Sequence, residues 1–372
     1  GHVRIFMNQG GSWVQVGNDI DGESPNDVSG WSVSLNGSGS VVAIGAYGND
    51  GNGNTSGHVR IYENQTGSWV QVGNDIDGES SSDASGWSVA LNSDGTIIVI
   101  GAPFNNENVT SSGHARVYEN QGGNWVQIGS DINGESDDDQ FGASTSINDT
   151  GNIVAIGARL NSDNAAYSGH VRVFKNQGGN WVQIGNDIDG VSAGDEFGSS
   201  ISLNNDGSLL AIGGRGDDTN GNNSGHVRIF RNQGGNWIQI GNDIYGESAD
   251  EHSGYSVSLS SDGNFVAVGA AYSSVNGTES GKVRIYELSQ VLSTKETKQI
   301  KFRLFPNPTS NLISIESDKF IELQKVRVYD GLGQLVMTTS NSIIDISSLS
   351  SGIYIVRIET SIGSESIKLI KE

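Results

Sequence analysis

Apolar residues in the first 287 positions fall into short runs that alternate with polar ones, and the whole pattern returns every 56 residues. Gly1, Gly57, Gly113, Gly169 and Gly225 each open a copy, and Gly281 opens a sixth that stops after one run. Within the first copy the runs are Val3 to Phe6, Trp13 to Val16, Trp31 to Leu35 and Val41 to Ile44. Each is too short for a helix and rich in Val, Ile, Trp and Ser, so each predicts a strand. Turn chemistry lies between them: Asn8-Gln9-Gly10-Gly11, and Asn36 to Gly39, which later becomes Ser93-Asp94-Gly95, Asp206-Gly207 and Asp262-Gly263. Asp-Gly between apolar runs is a strong hairpin signal. One copy thus predicts four antiparallel strands with two apolar faces, and a single sheet cannot bury both. Stacking copies about an axis hides the faces between neighbours and leaves only short edges, whereas a linear stack leaves two open ends. The expected fold is all-β: a β-propeller of five or more four-stranded blades. Gly45-Ala46, Gly101-Ala102, Gly157-Ala158, Gly213-Gly214 and Gly269-Ala270 supply small residues where inner strands crowd together.

After Glu287 the pattern stops. Residues 289–302 are polar and predict a linker; residues 303–372 predict a second domain. Its strand-like runs are Leu312 to Ile315, Lys325 to Tyr329, Gln334 to Met337, Ile353 to Ile358 and Ser366 to Ile370. Several short strands in about 70 residues predict a small β-sandwich.

Two resemblances follow from particular residues. Phe141-Gly142 and Phe197-Gly198 open the third run of their copies, and Gly101-Ala102-Pro103 closes a fourth run. Residues 1–288 therefore resemble FG-GAP repeats, which build integrin-alpha-type propellers. FG-GAP repeats often carry a calcium loop between their first two strands; here that place holds a tight hairpin such as Asn92-Ser93-Asp94-Gly95. The tail has Phe305-Pro306-Asn307-Pro308, then Val326-Arg327-Val328-Tyr329-Asp330 with Gly333, and Ile344-Asp345-Ile346 with Leu349. Gly352-Ile353-Tyr354 and Lys368-Leu369-Ile370-Lys371 complete it. It resembles the C-terminal sorting domain of the type IX secretion system of Bacteroidetes. That resemblance implies export across the outer membrane with the secretion machinery as partner, and release or surface attachment. It implies a sorting signal carried by Pro306, Asn307, Pro308, Gly352, Tyr354, Lys368 and Lys371.

The net charge is −22, and the residues before Val291 hold 34 acidic against 11 basic side chains. Such a surface repels nucleic acid and anionic lipid and suits solubility, cations, or a neutral or basic partner. There is no cysteine, and no apolar run approaches a membrane span. The series opens in mid-pattern, so upstream sequence with an export signal is expected. Alternatively, Trp13 to Val16 completes the last blade and closes a ring of five.

Several repeated residues invite chemistry. His2-x-Arg4 returns as His58/Arg60, His114/Arg116, His170/Arg172 and His226/Arg228, and ends as Lys282/Arg284. One histidine per blade reads as packing with a salt bridge, with Asp27, Asp83, Asp139, Asp195 and Glu251 as partners. Trp13, Trp69, Trp125, Trp181 and Trp237 read as core between blades, with sugar stacking as the alternative. Asn18 to Glu23 has the oxygen-rich look of a calcium loop, giving Asp19, Asp21, Glu23, Asp75, Asp77 and Glu79 as metal candidates. No cofactor is expected, with calcium at this loop as the alternative. Loops after each Gly-Ala vary between copies, as ligand-facing rims do. Their recurring asparagines, Asn52, Asn108, Asn164, Asn220 and Asn276, are rim candidates, with a left-handed turn as the alternative. Arg215-Gly216-Asp217 matches an integrin-recognition tripeptide but arises easily in a Gly/Asp-rich loop. No catalytic motif is present; His252 is the one histidine outside the register.

The expected function is a secreted or cell-surface, non-enzymatic binding or adhesion protein with a glycan or protein ligand. The alternatives are a propeller hydrolase or lyase acting on polysaccharide, and a structural surface-layer element.

Overall fold

The computed structural model describes residues 1–288, 302–317, 323–331, 334–360 and 363–372. It divides into two compact units, Gly1–Thr294 and Lys295–Glu372. The expected linker lies, apart from Phe302, outside the described residues, as does Gly333.

In the first unit the hairpins form where turn chemistry places them. The first complete blade runs Ser32–Leu35, Val41–Ala46, His58–Gln65 and Ser68–Gln71, paired in that order and antiparallel. The chain then turns back, and the two-residue strap Ile76–Asp77 pairs with the start of the third strand. Three further blades repeat this plan, with first strands Ser88–Leu91, Phe141–Ile147 and Phe197–Leu203. A final sheet has three strands, Ser253–Leu259, Phe265–Ala270 and Lys282–Glu287. Before the first blade, Phe6–Gln9 pairs with Ser12–Gln15, and His2–Val3 pairs with Ile20–Asp21. The strand around Trp13 therefore pairs with its own neighbour and does not complete the last blade. A ring of five closed in that way is not formed.

First strands of successive blades lie side by side, which is the inner edge of a propeller. Two features permit this approach. Ser32, Ser88, Ser144 and Ser200 each donate a hydroxyl to the carbonyl of Gly86, Gly142, Gly198 and Gly254 in the next blade, at 2.7–2.8 Å. Gly45 and Gly101 face those same carbonyls so closely that a Cβ would sit 2.1 Å from the oxygen.

Blade faces bury against one another in series. Ala43, Val59 and Ile61 of the first blade pack on Val89, Leu91, Ile98 and Ile100 of the second. Later interfaces repeat the arrangement, and Phe141 and Phe197 fill it in the third and fourth blades. At the two ends the faces are bare. Val283 and Ile285 are 69% and 72% exposed, whereas their counterparts Val227 and Ile229 are fully buried. Val33 and Leu35 at the other end are also exposed.

The second unit is a sandwich, as expected. A three-stranded sheet (Phe302–Phe305, Leu312–Ser317, Ile343–Asp345) and a four-stranded sheet (Leu323–Tyr329, Leu335–Thr339, Gly352–Thr360, Gly363–Lys371) share one core. Leu304, Ile313 and Ile344 meet Val326, Val328, Val356 and Leu369 there. The strands Phe302–Phe305 and Ile343–Asp345 were not expected from the runs.

Candidate functional site

The straps decide where the repeated charges go. Because Ile76–Asp77 pairs with His58–Val59, Asp75 comes to rest beside His58, with Oδ2 3.5 Å from Nδ1. Glu23 follows the preceding strap and reaches the same histidine and Arg60, 3.6 Å from its Nη1. The pattern repeats as Glu79, His114 and Asp131, joined by Glu107, and as Glu135, His170 and Asp187. Each cluster takes one carboxylate from the preceding blade and the rest from its own.

This separates the calcium set read from the sequence. Asp19 accepts from Arg4 and Gln15 near its own strand, while Glu23 belongs to the next histidine. Asp21 and Asp77 offer backbone carbonyls to Arg60 and Arg116 at 2.7 Å. Asp19, Asp21 and Glu23 thus form no cage, and neither do Asp75, Asp77 and Glu79: Asp75 and Glu79 serve different histidines. Asp75 and Asp77 also line a cleft of about 290 Å³ with Tyr118 and Trp125.

The expected partners of the His/Arg pair also change. Asp27, Asp83, Asp139 and Asp195 turn into their own loops, each accepting from a serine N–H three residues earlier (Ser24, Ser80, Ser136, Ser192) at 2.8–3.0 Å. Asp27 and Asp139 also accept from Asn49 and Asn161. Two of these acids do stand by the cationic pair: Asp195, whose carboxylate lies within 4.8 Å of a His226 nitrogen and of Asp217, and Glu251, 3.6 Å from both Lys282 and Arg284. At His58, His114 and His170 the strap carboxylate reaches the histidine, and the loop acid braces its loop.

Burial makes these histidines poor bases. His114 and His170 are pushed down to about 4 by desolvation, with Arg116 and Arg172 adding repulsion. The Glu79 carboxyl is pushed up by burial, opposed by Arg116 and reinforced by Asp131 and Glu107.

Three of the five tryptophans of the second run act as latches. Trp69, Trp125 and Trp181 donate Nε1–H to the carbonyls of Val16, Val72 and Ile128 in the preceding module, at 2.8–3.0 Å. Trp13 is 70% exposed.

Asn52, Asn108, Asn164 and Asn220 donate their amides to the carbonyls of Gly78, Gly134, Gly190 and Gly246, at 2.7–2.9 Å. Their side chains brace the variable loops against the next strap; Asn276 lies in the exposed last loop. Arg215 is held by Glu196 at 2.7 Å and Asp217 is buried, so the Arg-Gly-Asp tripeptide is not displayed. His252 directs Nδ1 to the Arg215 carbonyl, 3.1 Å away, and rests on Tyr272.

One grouping was not read from the sequence. Where Phe141 and Phe197 fill the blade interface, the first two blades have Ser29 and Ser85, and an aromatic stands two residues later, at Trp31 and Trp87. These rings begin the innermost strands and turn outward. Trp31 packs on Tyr47 and Trp87, and Trp87 packs on Tyr47 and Phe104, with centroids 5.0–5.5 Å apart. Trp31 is half exposed and the other three are partly so. On the same end of the innermost strands, Arg215 lies against Tyr255. The displaced aromatic was the available signal.

In the second unit the sorting-signal residues meet the last strand. The Asn307 amide donates to the Lys368 carbonyl at 2.8 Å, and its Oδ1 accepts from the Ile370 N–H at 2.9 Å. Thr309 pairs with the same strand, and the Tyr354 hydroxyl donates to the Ser350 carbonyl. Pro306 and Pro308 flank Asn307, Gly352 opens the strand that pairs with Lys371, and Lys371 is largely buried.

Among described residues no helix is long and apolar enough to cross a membrane. No curated protein matches the sequence. Among solved structures, a putative 6-phosphogluconolactonase from Bacteroides uniformis is 14% identical with a TM-score of 0.47, over 96% of this chain and 92% of that one. The Dos1 propeller is 14% identical with a TM-score of 0.37, over 92% of this chain and 94% of that one. A prolyl endopeptidase is 11% identical with a TM-score of 0.37, over 93% of this chain and 51% of that one. At these scores the likenesses say nothing about activity. The family matches are specific: FG-GAP repeat at residues 20–62, 76–118 and 189–230, and secretion system C-terminal sorting domain at 303–372. The first unit is thus a propeller of FG-GAP repeats, and the chain ends in a type IX sorting domain that marks it for secretion or for attachment at the outer-membrane surface.

Proposed function

We propose that this exported protein is a non-enzymatic binding protein that recognises a glycan with the aromatic face formed by Trp31, Tyr47, Trp87 and Phe104. The supporting observation is the ring group itself. Aromatics displaced from the core to the surface leave buried area unclaimed, and flat π-faces beside polar loops suit the apolar faces of sugar rings. An acidic surface suits a neutral polysaccharide better than an anionic one. The copies differ mainly in this region and in the loops after each Gly-Ala, while the scaffold repeats. That division favours recognition over catalysis.

The test is a glycan array probed with the full chain and with a Trp31→Ala/Trp87→Ala variant. The expected result is binding by the native chain and at least a tenfold loss in the variant. Absence of binding to any neutral glycan would remove the reading. Turnover of a polysaccharide would replace it with the hydrolase or lyase alternative.

A further inference from the structure

The histidine clusters have a geometry that hydrogen bonding leaves unsatisfied. The His114 ring is buried, and neither nitrogen has a hydrogen-bond partner among the described residues. Its Nδ1 faces Glu79 Oε2 at 3.8 Å and Asp131 Oδ2 at 4.0 Å, and a Glu107 oxygen joins them; all four atoms lie within 4.8 Å of one another. These separations are too long for hydrogen bonds. Because all these atoms lie within 4.8 Å of one another, a point equidistant from Nδ1 and the Glu79 and Asp131 oxygens lies about 2.0–2.5 Å from each, a range that includes imidazole and carboxylate bonds to zinc-like ions. Charge points the same way. Three carboxylates face one guanidinium, since Arg116 Nη1 approaches the other oxygen of Glu79 at 3.3 Å, so two negative charges remain for a dication.

The repeats supply their own comparison. In the last blade Lys282 replaces the histidine, and its ammonium contacts Glu247 and Glu251. A cation stands there as part of the chain. In the fourth blade the strap glutamate is lost to Val191, and the loop asparagine seen at Asn49, Asn105 and Asn161 becomes Asp217. Asp217 Oδ2 lies 3.2 Å from His226 Nδ1. Arg228, without its glutamate, turns to Asp243 at 2.9 Å. A carboxylate is thus kept beside the histidine even when its source moves.

We propose that Glu79, Glu107, His114 and Asp131 bind a divalent first-row transition ion of the zinc class, and that Glu23/His58/Asp75 and Glu135/His170/Asp187 are weaker versions. An imidazole among carboxylates suits such an ion, whereas calcium and magnesium take oxygen ligands. Glu79 and Glu107 reach solvent and provide the entry side; His114 closes the inner side. The ion joins the strap of one blade to the third strand of the next, and so staples adjacent blades.

The experiment uses the untagged full chain, stripped with chelator and dialysed. Zn2+ is titrated by calorimetry, Co2+ by its visible d–d absorption, and Ca2+ serves as the comparison. At least one Zn2+ per chain is expected, with a rise in Tm, and Ca2+ weaker by at least a hundredfold. His114→Gln and Glu107→Gln should each weaken the tightest site at least tenfold. Should His114→Gln fail to fold, Glu107→Gln, at an exposed position, carries the test. No heat, no Co2+ spectrum, a preference for Ca2+, or unchanged binding in Glu107→Gln would each overturn the proposal.

Discussion

Gly101 and Gly122 are both glycines in or beside a strand, and they differ in what a methyl group would meet. At Gly101 a Cβ would lie 2.1 Å from the Gly142 carbonyl oxygen, a backbone atom of the next blade. At Gly122, φ is +66° and nothing lies within 4 Å. Gly101→Ala should cost about 3 kcal/mol or more, since two inner strands must separate. Gly122→Ala should cost only about 1–2 kcal/mol, the strain of a left-handed residue. Urea unfolding followed by tryptophan fluorescence reads the difference, because all seven tryptophans lie in the repeats. The histidines add a pH signature. With folded values of about 4 against an ordinary 6.5, the unfolded chain binds more protons between those limits. Stability in chelator-treated protein should therefore be full above pH 6.5 and fall towards pH 4. His114 and His170 each contribute up to about 3 kcal/mol to that slope. A flat profile across this window would contradict the burial of the two rings.

Strands and turns were legible because each copy states them again: one ambiguous run becomes a firm strand when five others share its register. The latch function of the tryptophans was half legible. Repetition at a strand position indicates burial, but only the tertiary structure reveals the Nε1–H donated across to the preceding blade. Trp125→Phe keeps an aromatic ring but loses that bond and part of the packed area, and should cost about 1–3 kcal/mol. Trp13→Phe should leave unfolding unchanged, and equal losses in the two variants would sink this account. In the tail, Asn307 clips the Pro-Asn-Pro segment to the last strand through two hydrogen bonds. Asn307→Ala should destabilise the sandwich by about 1–2 kcal/mol and lower the amount of protein recovered outside the cell. Unaltered export alongside a destabilised sandwich would separate the fold of this unit from its recognition.

At the scale of the repeat unit, the bare end faces distinguish inner from outer modules. Ile229→Ala removes a fully buried side chain and should cost about 2–5 kcal/mol. Ile285→Ala, at the equivalent position on the exposed face, should cost no more than about 0.5 kcal/mol. A large loss at Ile285 would mean that this face is covered in solution. The 56-residue period by itself determined the strands, the hairpins, the module and the division from the tail, because these depend on neighbours within a few residues and on alternation along a strand. It also placed the sorting domain, whose motif residues keep their order and spacing. What only tertiary structure decided was convergence. Asp19 and Glu23 are neighbours in sequence, yet Asp19 pairs with Arg4 and Glu23 with His58, while Glu79, His114 and Asp131 come from successive copies and meet. A strap two residues long, pairing back onto the third strand, brings them together, and residues a whole module apart are joined by packing that no local pattern records.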